Sequence, residues 1–222
     1  MQRKRKFLAF GTEEKILSAD LVYHPLVFVE AKYVGGLLLK SPKISSFVID
    51  GVNANLINIS KGLKTEAGFS ELLGLTSDSI QVLSKLDKKG MTRIELEART
   101  KLSTHAVRDA IKFLREKKLV TDKGKIKQHK LYIPLTKTKF PKLSSLQQKL
   151  ELNFENVKGK QKQRKIVEND LRMVLKGIEP SAEIIKFQVF YYPVWEACLS
   201  SEKGPRTLNL DAVTGNEIPK LN

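Results

Sequence analysis

Cysteine is nearly absent: Cys198 is the only one in 222 residues. That excludes an internal disulfide and any multi-cysteine metal site, and it fits a reducing, intracellular setting. Three histidines, with no serine or cysteine motif around them, leave no basis for a nucleophilic triad. No Gly-x-x-x-x-Gly-Lys-[Ser/Thr] run occurs, so a phosphate-binding loop is not expected. Long apolar runs are missing too. None reaches the roughly 18 residues of a membrane span, and Phe7-Leu-Ala-Phe10 is too short for a signal-peptide core. A cytoplasmic, nucleoid-associated protein is expected, with no membrane contact, no cofactor and no metal. The scarcest charge is negative: 24 Asp+Glu face 40 Lys+Arg, a net +16. With 41% hydrophobic and 29% charged residues the composition is that of a globular chain, so the excess points to a polyanionic partner, most often nucleic acid.

The excess is unevenly placed. Residues 1–75 hold 10 basic and 7 acidic side chains, residues 76–135 hold 15 and 7, and residues 136–222 hold 15 and 10. Half of the net charge therefore lies in the 60-residue middle block. A basic tail would have put it at an end, so the charge belongs to a folded element.

That block has a clear order of elements. Val82, Leu83 and Leu86 have helical spacing over 77–88, and Gly90 breaks the run. Thr92-Arg-Ile-Glu95 matches a capping box for a short helix to about Thr100. Lys101-Leu-Ser103 suits a tight turn with Ser103 as the next N-cap. The following helix, to about Lys118, would bury Val107, Ala110, Ile111 and Leu114. Leu119-Val-Thr121 and Ile126 to Leu135 read as two strands, with the turn at Asp122-Lys-Gly-Lys125. The stretches Leu102-Ser-Thr-His-Ala-Val107 and Leu114-Arg-Glu-Lys-Lys-Leu-Val120 resemble the recognition helix and wing entry of winged helix-turn-helix DNA-binding domains.

The resemblance implies double-stranded DNA as partner, with the third helix in the major groove. Opposite its buried stripe lie Thr104, His105, Arg108, Lys112 and Arg115. Arg108 is the candidate for a base edge, because its guanidinium fork matches guanine's two acceptors. Thr104 and His105 begin the helix, where phosphate or base edges come close. Lys112 and Arg115 suit phosphate. Lys123, Lys125, Lys127 and Lys130 on the wing suit flanking backbone, and Lys101 borders the turn. Winged helices also dock proteins, which is one alternative use of the same face.

The flanks resemble each other. Ile16-Leu17 and Val22-Tyr-His-Pro25 match Ile184-Ile185 and Phe190-Tyr-Tyr-Pro193 at identical spacing. Asp50-Gly-Val-Asn-Ala-Asn-Leu-Ile57 matches Asp211-Ala-Val-Thr-Gly-Asn-Glu-Ile218, with Asp and Asn expected to bond their own backbone in a tight turn. Strands are expected over Leu21–Val34, Ser46–Val52, Ile184–Cys198 and Thr207–Val213, and helices over Leu63–Leu75 and Lys165–Lys176. The fold class expected is α+β: a winged helix-turn-helix (76–135) inserted between two similar β-rich units (1–75 and 136–222) that pair as one pseudo-symmetric domain. The second copy, from Tyr191-Tyr-Pro-Val-Trp195 to Gly215, faintly resembles strand segments of archaeal HerA-type DNA-translocating ATPases. That likeness implies a DNA-processing context and a possible processing partner beside a homodimer. Tyr23, His24, Tyr191, Tyr192 and Trp195 offer a second idea, a base-stacking surface, against plain packing. The run Lys158 to Lys165 reads as a solvated, flexible or helix-leading linker expected to raise DNA affinity through phosphate contacts, and the arm Met1 to Lys6 is expected to act similarly.

One enzymatic alternative has named residues. Asp20 followed by Glu30-Ala-Lys32 resembles an Asp…Glu-x-Lys nuclease motif, in which two carboxylates hold Mg²⁺ and the lysine orients a water. The second repeat carries Gln188, Cys198 and Ser200 at related positions, which weakens it.

Overall fold

The computed structural model describes residues 15–35, 40–59, 63–66, 68–135, 140–148, 159–201 and 204–218. In chain order the elements are β1 (Lys15–Gly35), β2 (Ser41–Asp50), β3 (Leu56–Asn58), β4 (Lys64–Glu66), α1 (Ser77–Lys85), β5 (Met91–Thr92), α2 (Arg93–Thr100) and α3 (Thr104–Glu116). They continue as β6 (Val120–Ile126), β7 (His129–Pro134), β8 (Lys160–Gln161), α4 (Glu168–Ile178), β9 (Glu183–Ser201), β10 (Gly204–Asp211) and β11 (Glu217–Ile218). The main sheet runs β11-β10-β9-β1-β2-β3-β4, antiparallel throughout, with β8 beside β1 in parallel.

The expected α+β fold, a winged helix-turn-helix inserted between two similar β-rich units, is corrected by this architecture. Strand accounts for 46% of the described residues and helix for 26%, so the fold is organised by sheet. The sheet curls into a nearly closed barrel. Ile218 of β11 and Leu63 beside β4, from opposite ends of the strand path, share one apolar cluster with Leu26, Phe28, Val48, Ile57, Phe190 and Val194. Four α-helices lie outside that cluster, among the described residues. The expected strands are present, but β1 and β9 pair along nearly their whole length and join both flanks into one sheet. The two long strands bury residues on both faces. Leu26 and Phe28 point into the curl, while Val27 and Val29 face the helices, which makes Leu26-Val-Phe-Val29 continuously apolar.

The outer cluster is one continuous body. It runs from Val27, Val29 and Phe47 through Ile80, Val82 and Leu83 of α1 to Leu96, Val107, Ile111 and Leu114, and includes Leu171 and Val174 of α4. The expected Lys165–Lys176 helix starts at Glu168 and passes through Gly177 to Ile178. Gly177 does not stop it; a β-carbon there would stand 2.5 Å from Ile80 Cβ, so glycine lets α4 close onto α1. The expected Leu63–Leu75 helix is replaced by β4 and a single 3-10 turn at Ser70–Leu72. Lys158 of the basic run before α4 lies outside the described residues; Lys160 and Gln161 pair with Val22 and Tyr23, and Lys165 N and Ile166 N donate to Gly51 O. Backbone pairing along β1 replaces a free linker there, while the side chains of Lys160, Arg164 and Lys165 stay exposed. The arm Met1 to Lys6 lies outside the described residues. No helix among the described residues is long and apolar enough to cross a membrane.

The matching segments carry matching hydrogen bonds. Sequence similarity equates His24 with Tyr192, and these two positions face each other across β1 and β9. A pseudo-twofold axis therefore passes through that pair. Around it, Gly51 N donates to Pro25 O (2.8 Å) and Ala212 N to Pro193 O (3.2 Å). Asp50 N donates to Asn55 O (2.9 Å), and Asp211 N to Asn216 O (2.8 Å). Ala54 N and Gly215 N close the turns onto Asp50 O and Asp211 O, and both residues have positive φ (59° and 72°). Asp50 Oδ1 accepts from Val52 N (2.7 Å), and Asp211 Oδ1 from Val213 N (2.8 Å).

The two copies differ in their charge environment. Both carboxylates are buried. Burial raises the Asp50 pKa, with hydrogen bonds from Val52 and Asn53 opposing it. Burial pushes Asp211 up too, but donors from Thr214, Val213 and the Tyr192 hydroxyl (2.9 Å) outweigh it and leave its pKa lowered. At the axis, burial chiefly lowers the His24 pKa, helped by the nearby Lys162 cation. Neutral His24 donates from Nε2 to Glu196 Oε1 (3.1 Å), which Lys162 Nζ also meets at 2.7 Å.

Two stability predictions follow from these shifts. Asp211→Asn should cost about 1–2 kcal/mol at pH 7, through loss of charge-assisted acceptance. Asp50→Asn, which removes a charge the fold disfavours, should cost less than about 0.5 kcal/mol or stabilise. Urea denaturation of both variants reads the contrast; equal losses would contradict it. For His24, the unfolded chain binds a proton near the ordinary value of 6.5 while the fold resists it. Stability should thus be fully present above that value and fall as pH drops below it toward the lowered folded value. His24→Asn should flatten that slope in denaturation midpoints taken from pH 8 to 5, and an unchanged slope would contradict the assignment.

Candidate nucleic-acid interface

Residues 77–134 form three helices and a small sheet of order β5-β7-β6. Local chemistry sets each boundary. Thr92 caps α2: its hydroxyl accepts from Glu95 N (3.3 Å), while Glu95 Oε2 accepts from Thr92 N (2.7 Å). Ser103 caps α3 by accepting from Ala106 N (3.2 Å). The buried residues of α3 are Val107, Ala110, Ile111 and Leu114, which leaves Thr104, His105, Arg108, Lys112 and Arg115 exposed on its other side.

The hairpin differs from expectation in one detail. The turn lies not at Asp122–Lys125 but at Lys127-Gln128, between the paired residues Ile126 and His129. Gly124 instead takes φ 134° at a bulge inside β6. A glycine therefore marked an irregular strand rather than its end. The shift carries Lys125, Lys127 and Lys130 to the outer end of the hairpin, all exposed. Lys123 is turned back, its Nζ 3.2 Å from Lys88 O.

Half-buried Asp122 joins helix to hairpin. Arg115 Nε lies 3.6 Å from Asp122 Oδ1, and Lys130 Nζ lies 3.3 Å from Oδ2. Arg108 is less free than a base-reading side chain would be. It donates from Nη2 to His105 Nδ1 (2.9 Å), and its Nε lies 3.6 Å from Asp109. Lys101 ends α2 in the left-handed region (φ 60°), its N–H on Glu97 O (2.9 Å), so it works as a cap besides carrying charge.

Two residues join this surface that sequence reasoning missed. Arg93, Arg108, Ile111, Lys112, Arg115 and Tyr132 line an open concavity of about 150 Å³. That is well below the roughly 300–1,000 Å³ of small-molecule sites. Arg93 sits in the first turn of α2, where a cation opposes the helix dipole. That misfit was the one signal in the sequence. Tyr132 gave none, because only the β5–β7 register, Met91 opposite Tyr132, brings it beside Arg93.

The other candidates do not assemble. Asp20 and Glu30 lie on one strand with no irregularity between them, ten residues apart, or about 33 Å at strand rise. Two carboxylates on one cation must come within about 5 Å. The Asp20, Glu30 and Lys32 arrangement therefore cannot close around Mg²⁺. Among Tyr23, His24, Tyr191, Tyr192 and Trp195, Trp195 alone is exposed; His24 and Tyr192 are tied to Glu196 and Asp211. No protein-family model, curated protein or solved structure matches this chain, so the winged-helix and HerA resemblances rest on the residues alone.

Lys101→Gly should stabilise the protein by about 0.5–1 kcal/mol, since glycine takes positive φ without the β-carbon penalty. Chemical denaturation measures this; a loss of stability would show that the Lys101 side chain packs rather than strains.

Proposed function

We propose that this chain is a non-enzymatic protein that binds double-stranded DNA through α3 and the β6–β7 hairpin. It would act as a transcription regulator or as an accessory factor that organises or processes DNA, and it would reside with the nucleoid. One observation carries the reading: the exposed cations of α3 and those at the hairpin's outer end border one surface, with Asp122 of β6 between Arg115 of α3 and Lys130 of β7. Such a constellation suits a groove-entering helix with a flanking basic arm. The likeness of 76–135 to winged helix-turn-helix segments supports the same reading. So does the net charge, half of which falls in this block.

Fluorescence anisotropy on a labelled duplex tests it. Binding should weaken steeply with salt. Lys112→Ala with Lys125→Ala and Lys127→Ala should lower the log–log salt slope by about 2–3, near 0.9 per lost phosphate contact. Lys176→Ala, on exposed α4 surface, should leave the slope unchanged. An unchanged slope in the triple variant would sink the proposal.

A further inference from the structure

We propose that the concavity between α2, α3 and β7 is a seat for one phosphodiester group of the DNA backbone, closed by Arg93 and Tyr132. The inference rests on the duplex-binding reading and deepens it. It also reassigns Arg108, from reading a base edge to gripping the backbone.

The placement of Arg93 comes from local structure. β5 pairs Met91 with Tyr132 and Thr92 with Leu131, and the capping box at Thr92 and Glu95 then turns the chain into α2. Arg93 is thereby held at the helix start, beside β7. Nothing in helix energetics asks for a cation there. It faces the positive end of the dipole, and an ion pair with the basic residue N-terminal to the acid is the weaker orientation. Its partner is Glu97, one turn on, with Nε to Oε1 at 3.1 Å. Across the concavity stand Arg108, Lys112 and Arg115, and Ile111 and Tyr132 complete the lining.

The charges suit an anion. The seat and its ion-pair partners hold Arg93, Arg108, Lys112, Arg115 and Lys130 against Glu97, Asp109 and Asp122. That leaves two positive charges in excess. Glu97 and Asp122 are the less exposed members of their pairs, at 23% and 28%. They lie on the protein side of the Arg93 and Arg115 guanidiniums, whose outer donors stay open to solvent. Lys112 has no ion-pair partner among the described residues. Planar guanidiniums on two different elements, a free ammonium and a phenol hydroxyl are donors only or donors first, and tetrahedral phosphate oxygens are the acceptors they fit. The concavity is open on its outer side and lined mostly by donors, so the group it suits is a single phosphate of a chain that continues outside.

Duplex anisotropy against salt, on the full chain, tests the seat. Arg93→Ala should lower the salt slope by about 0.9 and weaken binding about tenfold near 0.1 M salt, equally on duplexes of unrelated sequence. Arg93→Lys should restore the slope but only part of the affinity, because the fork is lost. Tyr132→Phe should weaken binding with no change of slope. If Arg93→Ala and Tyr132→Phe leave affinity and slope untouched while the Lys112/Lys125/Lys127 variant lowers both, the seat is wrong and duplex binding stands. A loss at Arg93 that depends on base sequence would equally overturn a phosphate seat. If the unaltered chain shows no salt-dependent duplex binding, both readings fall.

Discussion

The antiparallel pairing of β1 with β9 is the contact from which the rest of the structure is built. The two strands, 21 and 19 residues long, lie side by side from Lys15 with Ser200 to Lys32 with Glu183. At their centre His24 faces Tyr192. Each strand then adds a second strand and a third through an Asp-headed turn, so both wings of the sheet grow outward from one axis. A sheet of this length must twist. Here the twist brings the outermost strands toward each other over a shared apolar interior. The buried polar groups near the axis carry the cost of that closure. His24, Asp50 and Asp211 each keep one polar atom without a partner among the described residues.

The same pairing explains why the helical segment is not a bead on a string. Odd-numbered residues of β1 present Val27, Val29 and Ala31 to the helices, and the cluster they join continues to Leu114 of α3. Gly177 brings α4 against Ile80 of α1, and close-packed contacts of this kind transmit position rather than absorb it. Leu119 N, donating to Leu114 O, and the shared burial of Leu114 and Val120 then set the hairpin against α3. On the proposed reading, DNA meets a surface whose helix, hairpin and α2 start are already in register. Little ordering entropy is then lost on binding.

The legible parts of this protein are those governed by neighbours in sequence. Thr92 with Glu95, Ser103, and the stripe Val107, Ala110, Ile111 and Leu114 were readable because capping and helical period act over three to seven residues. The Asp50 and Asp211 turns were readable for the same reason, since an Asx bond spans two residues. What failed was governed at long range. Leu63–Leu75 has helical composition, but pairing of β3 with β4 takes its first residues. Lys160 and Gln161 look like linker until β1 offers them a strand edge. Gly124 looked like a turn and is a bulge, because the register with β7 was not knowable from the strand itself. The long strands were readable as apolar runs, but their joining into one curled sheet was not, because it depends on the pairing of β1 with β9 across most of the chain.

The surface charge followed the same division, and this bears on how DNA would be discriminated. Counting lysines and arginines located the block, but only the fold shows which cations converge. Arg108 is drawn toward His105 and lines the concavity with Arg93, Lys112 and Arg115. If those four serve the backbone, they contribute affinity and register without sequence information. Base edges are then left to Thr104 and His105, short or medium side chains at the start of α3, and neither offers the two-pronged donor set that selects guanine. Wild-type binding would accordingly be strong at low salt, steep in its salt dependence and shallow in sequence preference. An organising or processing role fits that profile better than regulation at a single operator, where each mismatched base pair typically costs about 1–3 kcal/mol.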